Sequence, residues 1–224
     1  MNEITFILHI AALMSFVLLA LRMGKEALIA ALAIQVILAN LFVMKQMECF
    51  GLHVTCADVY TVGSIFSMNL IQVYFGKKVA NRALKAVFFL LFLVMVMSQF
   101  QLRYVPSKYD GMHHAFAAIL NDTPRIMIFS FLSALIAQKM DMELFGWIRK
   151  KLPKTPLFLP FALSSLVTQG FDTLFFSYTA LYGIVHSMRD IIVMSYLIKV
   201  IIIFCVAPFT FFVKKWIHHD PVQV

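Results

Sequence analysis

The sequence predicts an all-α integral membrane protein, a bundle of about seven transmembrane helices, and two observations carry that prediction. The 224 residues are 62% hydrophobic and only 13% charged, with a mean hydropathy of +0.87, and a water-soluble fold could not cover such a composition with polar surface. A hydrocarbon core about 30 Å thick needs roughly 20 apolar residues per helix. Residues 1–224 therefore form a single transmembrane domain, which argues against ATP-hydrolysing, nucleic-acid-binding and secreted proteins.

Seven apolar stretches are long enough to span the membrane. Charges and Gly/Pro clusters bound them at about 4–22, 26–44, 58–75, 82–101, 123–145, 157–182 and 190–213. The stretch VFFLLFLVMVM (87–97) is apolar on every side, whereas a strand of a membrane barrel would alternate. The first stretch has no basic residue before it and no small-residue cleavage site after it, so we interpret it as a retained helix and not as a signal peptide.

The basic residues predict the orientation. Thirteen of the nineteen Lys and Arg residues fall in the first, third and fifth connections or after the last helix, five fall on the opposite side, and Lys199 lies within the seventh span. By the positive-inside rule the N-terminus is outside and the C-terminus is cytoplasmic. The net charge of +8 is thus mainly a topology signal, although RKKLPK (149–154) could also bind anionic lipid.

The cysteine and histidine residues indicate little about the function. Cys49 and Cys56 bracket the short outer connection between the second and third spans, and a disulfide between them is left open. The histidines form no HExxH motif and the cysteines no CxxC motif, so we expect no metal site and no cofactor. The sequence also lacks GxSxG, and an intramembrane enzyme is a minority hypothesis.

Polar side chains at membrane depth are the strongest functional signal. Asp172 and Lys199 stand in the sixth and seventh spans, where a central charge costs about 2.5–3.5 kcal/mol. That cost is too large for interhelical packing alone, so we expect the two residues to pair with each other in the empty protein or to face a wet cavity. For a single Ser, Gln or Asn, hydrogen bonding between helices is the simpler interpretation.

One polar pattern occurs twice. Residues 133–145 and 164–176 share S-x4-Q-x2-D-x3-F at an offset of 31. Positions i, i+3 and i+7 lie on one helical face, which predicts one stripe of Gln138, Asp141 and Phe145 and another of Gln169, Asp172 and Phe176. An amide, a carboxylate and an aromatic ring can together hold a flat heteroaromatic ring. The two stripes either face each other across such a cleft or form a duplicated packing motif.

Here the residues resemble a known family. NLIQVYFGKKVANR (69–82), the pattern that occurs twice, Arg125 upstream of its first copy, and YLIKVIIIFCVAPF (196–209) are similar to the queuosine precursor transporter family, also called the vitamin uptake transporter family. The resemblance covers about residues 33–213, so the first helix looks like an addition to a six-helix core. Many members have an acidic residue in place of Asn69 and Glu in place of Val73, and the lost carboxylate weakens binding of an aminomethyl cation more than of an uncharged nitrile.

The resemblance implies import of a purine-like small molecule across the bacterial cytoplasmic (inner) membrane. The implied substrates are 7-deazaguanine bases such as 7-cyano-7-deazaguanine, 7-aminomethyl-7-deazaguanine or queuine, salvaged for tRNA modification by a secondary transporter. The partners are then the substrate and the lipid bilayer, with no nucleic acid, and a homo-oligomer is left open. The candidate substrate-binding residues are Asn40, Asn69, Gln72, Arg125, Gln138, Gln169, Asp172, Phe176 and Lys199.

Transport requires a site that opens alternately to each side, and we expect helix irregularities at Gly170 and Pro208. Two other classes of protein fit the composition. One is the substrate-binding membrane subunit of a multi-component, ATP-driven vitamin importer, and the other is a structural membrane protein in which Asp172 and Lys199 affect folding only.

Overall fold

Helices make up most of the computed structural model, which describes residues 1–155 and 158–213. In chain order the helices are α1 (Asn2–Met23), α2 (Lys25–Phe42), α3 (Asp58–Arg103), α4 (His113–Leu120), α5 (Thr123–Lys151), α6 (Phe158–Phe176) and α7 (Met188–Val213). A π-helical turn, Ser177–Leu181, continues α6, and the strands β1 (Gln46–Cys49) and β2 (Leu52–Thr55) form an antiparallel hairpin between α2 and α3. The predicted helical class is confirmed.

Four helical stretches of the described residues are long and apolar enough to cross a bilayer, judged by length and composition. They are Asn2–Met23, Lys25–Phe42, Asp58–Arg103 and His113–Ile148. Large apolar side chains such as Phe16, Phe89 and Ile201 are exposed on their helices, as lipid-facing side chains are. The chain is therefore a multi-pass membrane protein.

Two glycines interrupt the helices where a reversal is needed. Gly24 (φ 114°) is the single residue between α1 and α2, and Gly76 (φ 82°, ψ 166°) is the non-helical residue inside α3. Side chains with a Cβ avoid such positive φ values. The third connection, expected at 76–81, thus reduces to Gly76 alone inside α3. Phe66 and Val87, on opposite sides of Gly76, lie in one buried apolar cluster with Leu28 of α2.

The N-terminus, the hairpin and the segment before α7 meet at one end of the bundle, which we call the hairpin end. They are joined by hydrogen bonds from Asn2 Nδ2 to the Glu48 carbonyl (2.8 Å), from the Phe50 N–H to Glu3 Oε1 (3.3 Å), from the His186 N–H to Gln46 Oε1 (2.9 Å) and from the His53 N–H to Asp190 Oδ2 (3.4 Å). The N-terminus, the connection between α2 and α3, and the connection before α7 therefore lie at the same end of the bundle.

The hairpin was not predicted, and it decides the disulfide question. Cys49 pairs with Leu52 at the turn, whereas the Cys56 N–H donates to the Lys45 carbonyl at the opposite end of the ladder. Four residues of strand separate the two positions, about 13 Å at 3.3 Å per residue, and a disulfide needs Cα atoms within about 7 Å. Both cysteines are free thiols, so the disulfide that the sequence left open is absent.

Candidate substrate-binding site

Lys199 and Asp172 form a buried ion pair between α7 and α6. Lys199 Nζ lies 2.6 Å from Asp172 Oδ2, and only 9% and 22% of the two side chains is exposed. Lys199 Nζ also donates to Thr173 Oγ1 at 3.0 Å. The pairing expected from the sequence is confirmed, and its physical reason is the cost of an isolated charge in an apolar bundle.

The remaining acceptor positions of Asp172 face α5. Ser133 Oγ donates to Asp172 Oδ1 at 2.5 Å and lies 3.2 Å from the Asp172 carbonyl oxygen. Among the described residues, the side chains that hydrogen-bond to the ion pair are Ser133 and Thr173. The carboxylate of Asp172 is therefore held from two helices, with its acceptor oxygens aimed into the contact between α5, α6 and α7.

The two copies of S-x4-Q-x2-D-x3-F face each other. Ser133 of the first copy bonds to Asp172 of the second, and Asp141 of the first copy accepts a hydrogen bond from Thr168 at 3.3 Å on the facing helix. Each carboxylate therefore contacts the facing helix directly, whereas Gln138 is exposed and Gln169 is half-buried. These contacts fit both alternatives, a cleft that is closed in this structure and a duplicated packing motif.

Gly170 allows a close approach and does not distort its helix, which corrects the expectation of an irregularity there. A Cβ at Gly170 would lie 3.3 Å from the ring of Tyr196, and Tyr196 Oη donates to the Leu166 carbonyl at 3.2 Å. The irregularity of α6 comes later, in the π-helical turn Ser177–Leu181. Residue 208 lies within α7. The side chain of Pro208 is not among those that the structure describes.

Arg125 holds that π-helical turn. Its Nε donates to the Thr179 carbonyl at 3.1 Å and its guanidinium NH2 group donates to the Tyr182 carbonyl at 2.9 Å. The last carbonyls of a helix lack partners within the helix, and a cation near a helix C-terminus interacts favourably with them. The contacts of Arg125 are thus those of a helix cap.

The other sequence-predicted site residues make no hydrogen bond to the ion pair among the described contacts. Asn40 is buried, with Nδ2 bonded to the Val36 carbonyl at 2.8 Å and Oδ1 buried without a hydrogen-bond partner. Asn69 and Phe176 are half-buried, Gln72 is exposed, and Phe176 packs against an apolar cluster that contains Ala180.

The sequence analysis missed two residues of the site. Asp58, at the first position of α3, is 4% exposed, and its Oδ1 accepts a hydrogen bond from Ser195 Oγ at 2.6 Å. Ser195 precedes Lys199 by four residues, one helical turn on the same face of α7. That i, i+4 relation was the available signal, whereas the contact with Asp58, 137 residues away, leaves no local trace.

Two cavities lie elsewhere. A polar depression of about 290 Å³ is lined by the first three residues, Glu48 and Gly51, and an apolar groove of about 440 Å³ runs beside Trp147 and Val167. Neither is lined by Asp172 or Lys199. A ligand that takes both oxygens of Asp172 would displace Lys199 from Oδ2 and Ser133 from Oδ1.

Comparison with known proteins bears on what such a buried ion pair is for. A family model described as "Putative vitamin uptake transporter" matches residues 55–213, which take in α3 to α7. A protein of Bacillus subtilis (strain 168) named "Probable queuosine precursor transporter" is 28% identical over 200 residues, 88% of this chain and 87% of that protein. No solved structure matches the chain. Both names describe transporters and not enzymes, and the match to the family model shows that the chain belongs to the vitamin uptake transporter family.

Proposed function

We propose that the protein imports queuosine precursors, 7-deazaguanine bases, across the bacterial cytoplasmic membrane. The carrying observation is the buried ion pair of Lys199 and Asp172 in a chain whose relative is named a queuosine precursor transporter. A guanine-like edge presents adjacent N–H donors that one carboxylate accepts together. Asp172 is that acceptor, and a base bound there releases Lys199 from the carboxylate.

The neighbours of Asp172 on α6 complete the proposed site. Gln169 lies one turn before Asp172 and Phe176 one turn after it, both half-buried. Positions i−3, i and i+4 share a helical face, so the amide reaches the polar edge of the base and the ring stacks on its plane. Asn40, Asn69, Gln72 and Gln138 remain candidates for a second, open state of the transporter, and Arg125 supports the helix end beside it.

We further propose seven spans, with the N-terminus outside and the C-terminus in the cytoplasm, in one domain over residues 1–224. Gly76 divides α3 into two spans. This division is supported because both ends of α3 lie near the hairpin end of the bundle. Asp58 follows the hairpin directly. At the other end Gln99 Nε2 donates to the Leu120 carbonyl at 3.1 Å, just before α5, whose Arg125 contacts the segment that joins the hairpin end.

Reporter fusions test the topology. A reporter at Met1 should lie outside and one after Lys215, a position outside the described residues, should be cytoplasmic. The five basic residues on the outer side and the thirteen on the inner side are the basis of this orientation. Reporters found on the same side would require an even number of spans.

Uptake into liposomes tests the substrate. Purified protein should take up radiolabelled 7-cyano-7-deazaguanine or 7-aminomethyl-7-deazaguanine in preference to adenine, guanine and vitamins, with no other protein present. Asp172→Asn should insert and fold yet abolish uptake, because the amide keeps the shape but loses the charge. Asp190→Asn is the matched control, since an amide oxygen still accepts the hydrogen bond from the His53 N–H.

Three results would contradict the proposal. Equal uptake of ordinary purines would show that the site does not select deazaguanines. Wild-type uptake by Asp172→Asn would show that Asp172 serves packing and not substrate binding. Uptake only in the presence of a co-purifying ATPase and coupling subunit would instead identify the chain as the substrate-binding subunit of an ATP-driven importer.

A further inference from the structure

Asp58 is a second buried carboxylate, and neutral groups alone hydrogen-bond to it among the described residues. Ser195 Oγ donates to its Oδ1 at 2.6 Å, and Thr55 Oγ1 lies at 3.5 Å from its Oδ2. The residue is 4% exposed. An ionised carboxylate at such a depth needs a cation or several strong donors, and the donors from Ser195 and Thr55, which include the Thr55 backbone, carry no positive charge.

The ammonium that could reach Asp58 is that of Lys199 on α7, which is bonded to Asp172 at 2.6 Å. Lys199 follows Ser195 by one turn, and the side chain of a helical residue leans towards the N-terminal turn, that is, towards Ser195 and Asp58. The cluster thus holds two carboxylates and one ammonium.

We propose that Lys199 switches between the two carboxylates and that Asp58 releases a proton when substrate binds. This inference rests on the proposed function. In the empty state Asp58 is a neutral acid and Lys199 pairs with Asp172. A neutral deazaguanine takes the carboxylate of Asp172, the ammonium of Lys199 moves one helical turn to Asp58, and the acid proton of Asp58 passes to solvent. The cluster changes from net charge 0 to −1, and the released proton balances it.

The other titratable groups near Asp58 do not supply this charge. Burial raises the pKa of the Cys56 thiol, just before α3, and on the hairpin His53 contacts the ring of His186. On the side of α1, the ring of His9 contacts that of Tyr60. On α7, Asp190 is engaged with the His53 N–H. Lys199 is the basic residue that lies one turn from Ser195, the residue of α7 that contacts Asp58.

Calorimetry of the full-length protein in detergent tests the proton. Binding of 7-cyano-7-deazaguanine is measured at about pH 5, where the empty protein carries the proton, in buffers of different ionisation enthalpy. Wild-type protein should release about one proton per bound base, and its Kd should fall about tenfold per pH unit while Asp58 is protonated in the empty protein. Asp58→Asn, which mimics the neutral acid, should bind with no proton release, whereas Asp190→Asn should behave as wild type. Binding without proton release in wild type, or unchanged release in Asp58→Asn, would overturn the switch.

Infrared difference spectroscopy gives a second readout that needs no variant to fold. Adding the same base to wild-type protein should remove the C=O band of a protonated carboxylic acid, and a spectrum with no such loss would overturn the proposal even where calorimetry shows binding. If no deazaguanine binds, the proposed function fails. If the base binds but the band persists, the proposed function stands and the switch fails.

Discussion

The ion pair of Lys199 and Asp172 predicts a specific result in a double-mutant cycle. Lys199→Met leaves Asp172 with the Ser133 hydroxyl and a side chain that is 22% exposed. Asp172→Asn leaves Lys199, 9% exposed, with Thr173 as its hydrogen-bond partner. Each single change strands a buried charge, and the double variant Lys199→Met with Asp172→Asn strands none.

The structure sets the size of the effect. Breaking a buried pair by removing one partner costs about 3–5 kcal/mol, and Asp172→Asn should fall at the upper end because Lys199 is the more deeply buried charge. Independent effects would add to about 6–10 kcal/mol in the double variant, whereas interacting residues should leave it no less stable than either single variant. The expected coupling free energy is therefore about 3–5 kcal/mol.

Thermal unfolding of the four detergent-solubilised proteins measures this coupling. At about 2–4 °C per kcal/mol for a chain of this length, each single variant should melt about 6–20 °C below wild type, and the double variant should melt no lower. A second cycle of Asp190→Asn with Lys199→Met should be additive, since Asp190 contacts the hairpin and not Lys199. Additive destabilisation in the first cycle would show that the two residues do not interact, and the proposed exchange of partners would have to be abandoned.

Three further predictions follow from local contacts. Gly170→Ala should lower the unfolding free energy by at most about 2 kcal/mol, because the contact of its Cβ with the Tyr196 ring costs about 1–3 kcal/mol and the helix propensity of Ala returns about 1 kcal/mol; in a Tyr196→Ala background, without the contact, Gly170→Ala should be stabilising. Arg125→Gln should cost about 1–3 kcal/mol because the carbonyls at the π-helical turn lose their donor; a melting temperature equal to wild type would contradict the capping role. Burial raises the pKa of the Cys49 and Cys56 thiols, so alkylation should be slow at pH 7 and faster at higher pH, and an oxidised mass two hydrogens lower in the folded protein would contradict their separation.

The ion pair was predictable from the sequence because its physics is local. A Lys about ten residues into an apolar span cannot reach either interface, and Asp172 was the carboxylate available in the preceding span. The facing of the two copies of S-x4-Q-x2-D-x3-F was predictable for the same reason, since their spacing fixes a helical face and consecutive spans are antiparallel.

The remaining features depend on contacts between residues far apart in the sequence. Asp58 begins a predicted span and resembles an ordinary helix end, and only the packing of α7 against α3 reveals its burial. The hairpin consists of two strands of four residues each, too short for an alternation of apolar and polar residues to be recognised. Gly170 looked like a flexible point, whereas its role is set by a ring on another helix.

If the helices separate at the hairpin end during transport, the hairpin would act as a latch that holds this end closed. Its four hydrogen bonds to the N-terminus and to the segment at the start of α7 must break before the helices can separate at that end. At about 1 kcal/mol net for each bond, the latch contributes about 4 kcal/mol. A difference of about 5.5 kcal/mol in the affinity of a ligand for two states moves a population from 1:99 to 99:1. A ligand that prefers the unlatched state can therefore open this end without unfolding any helix.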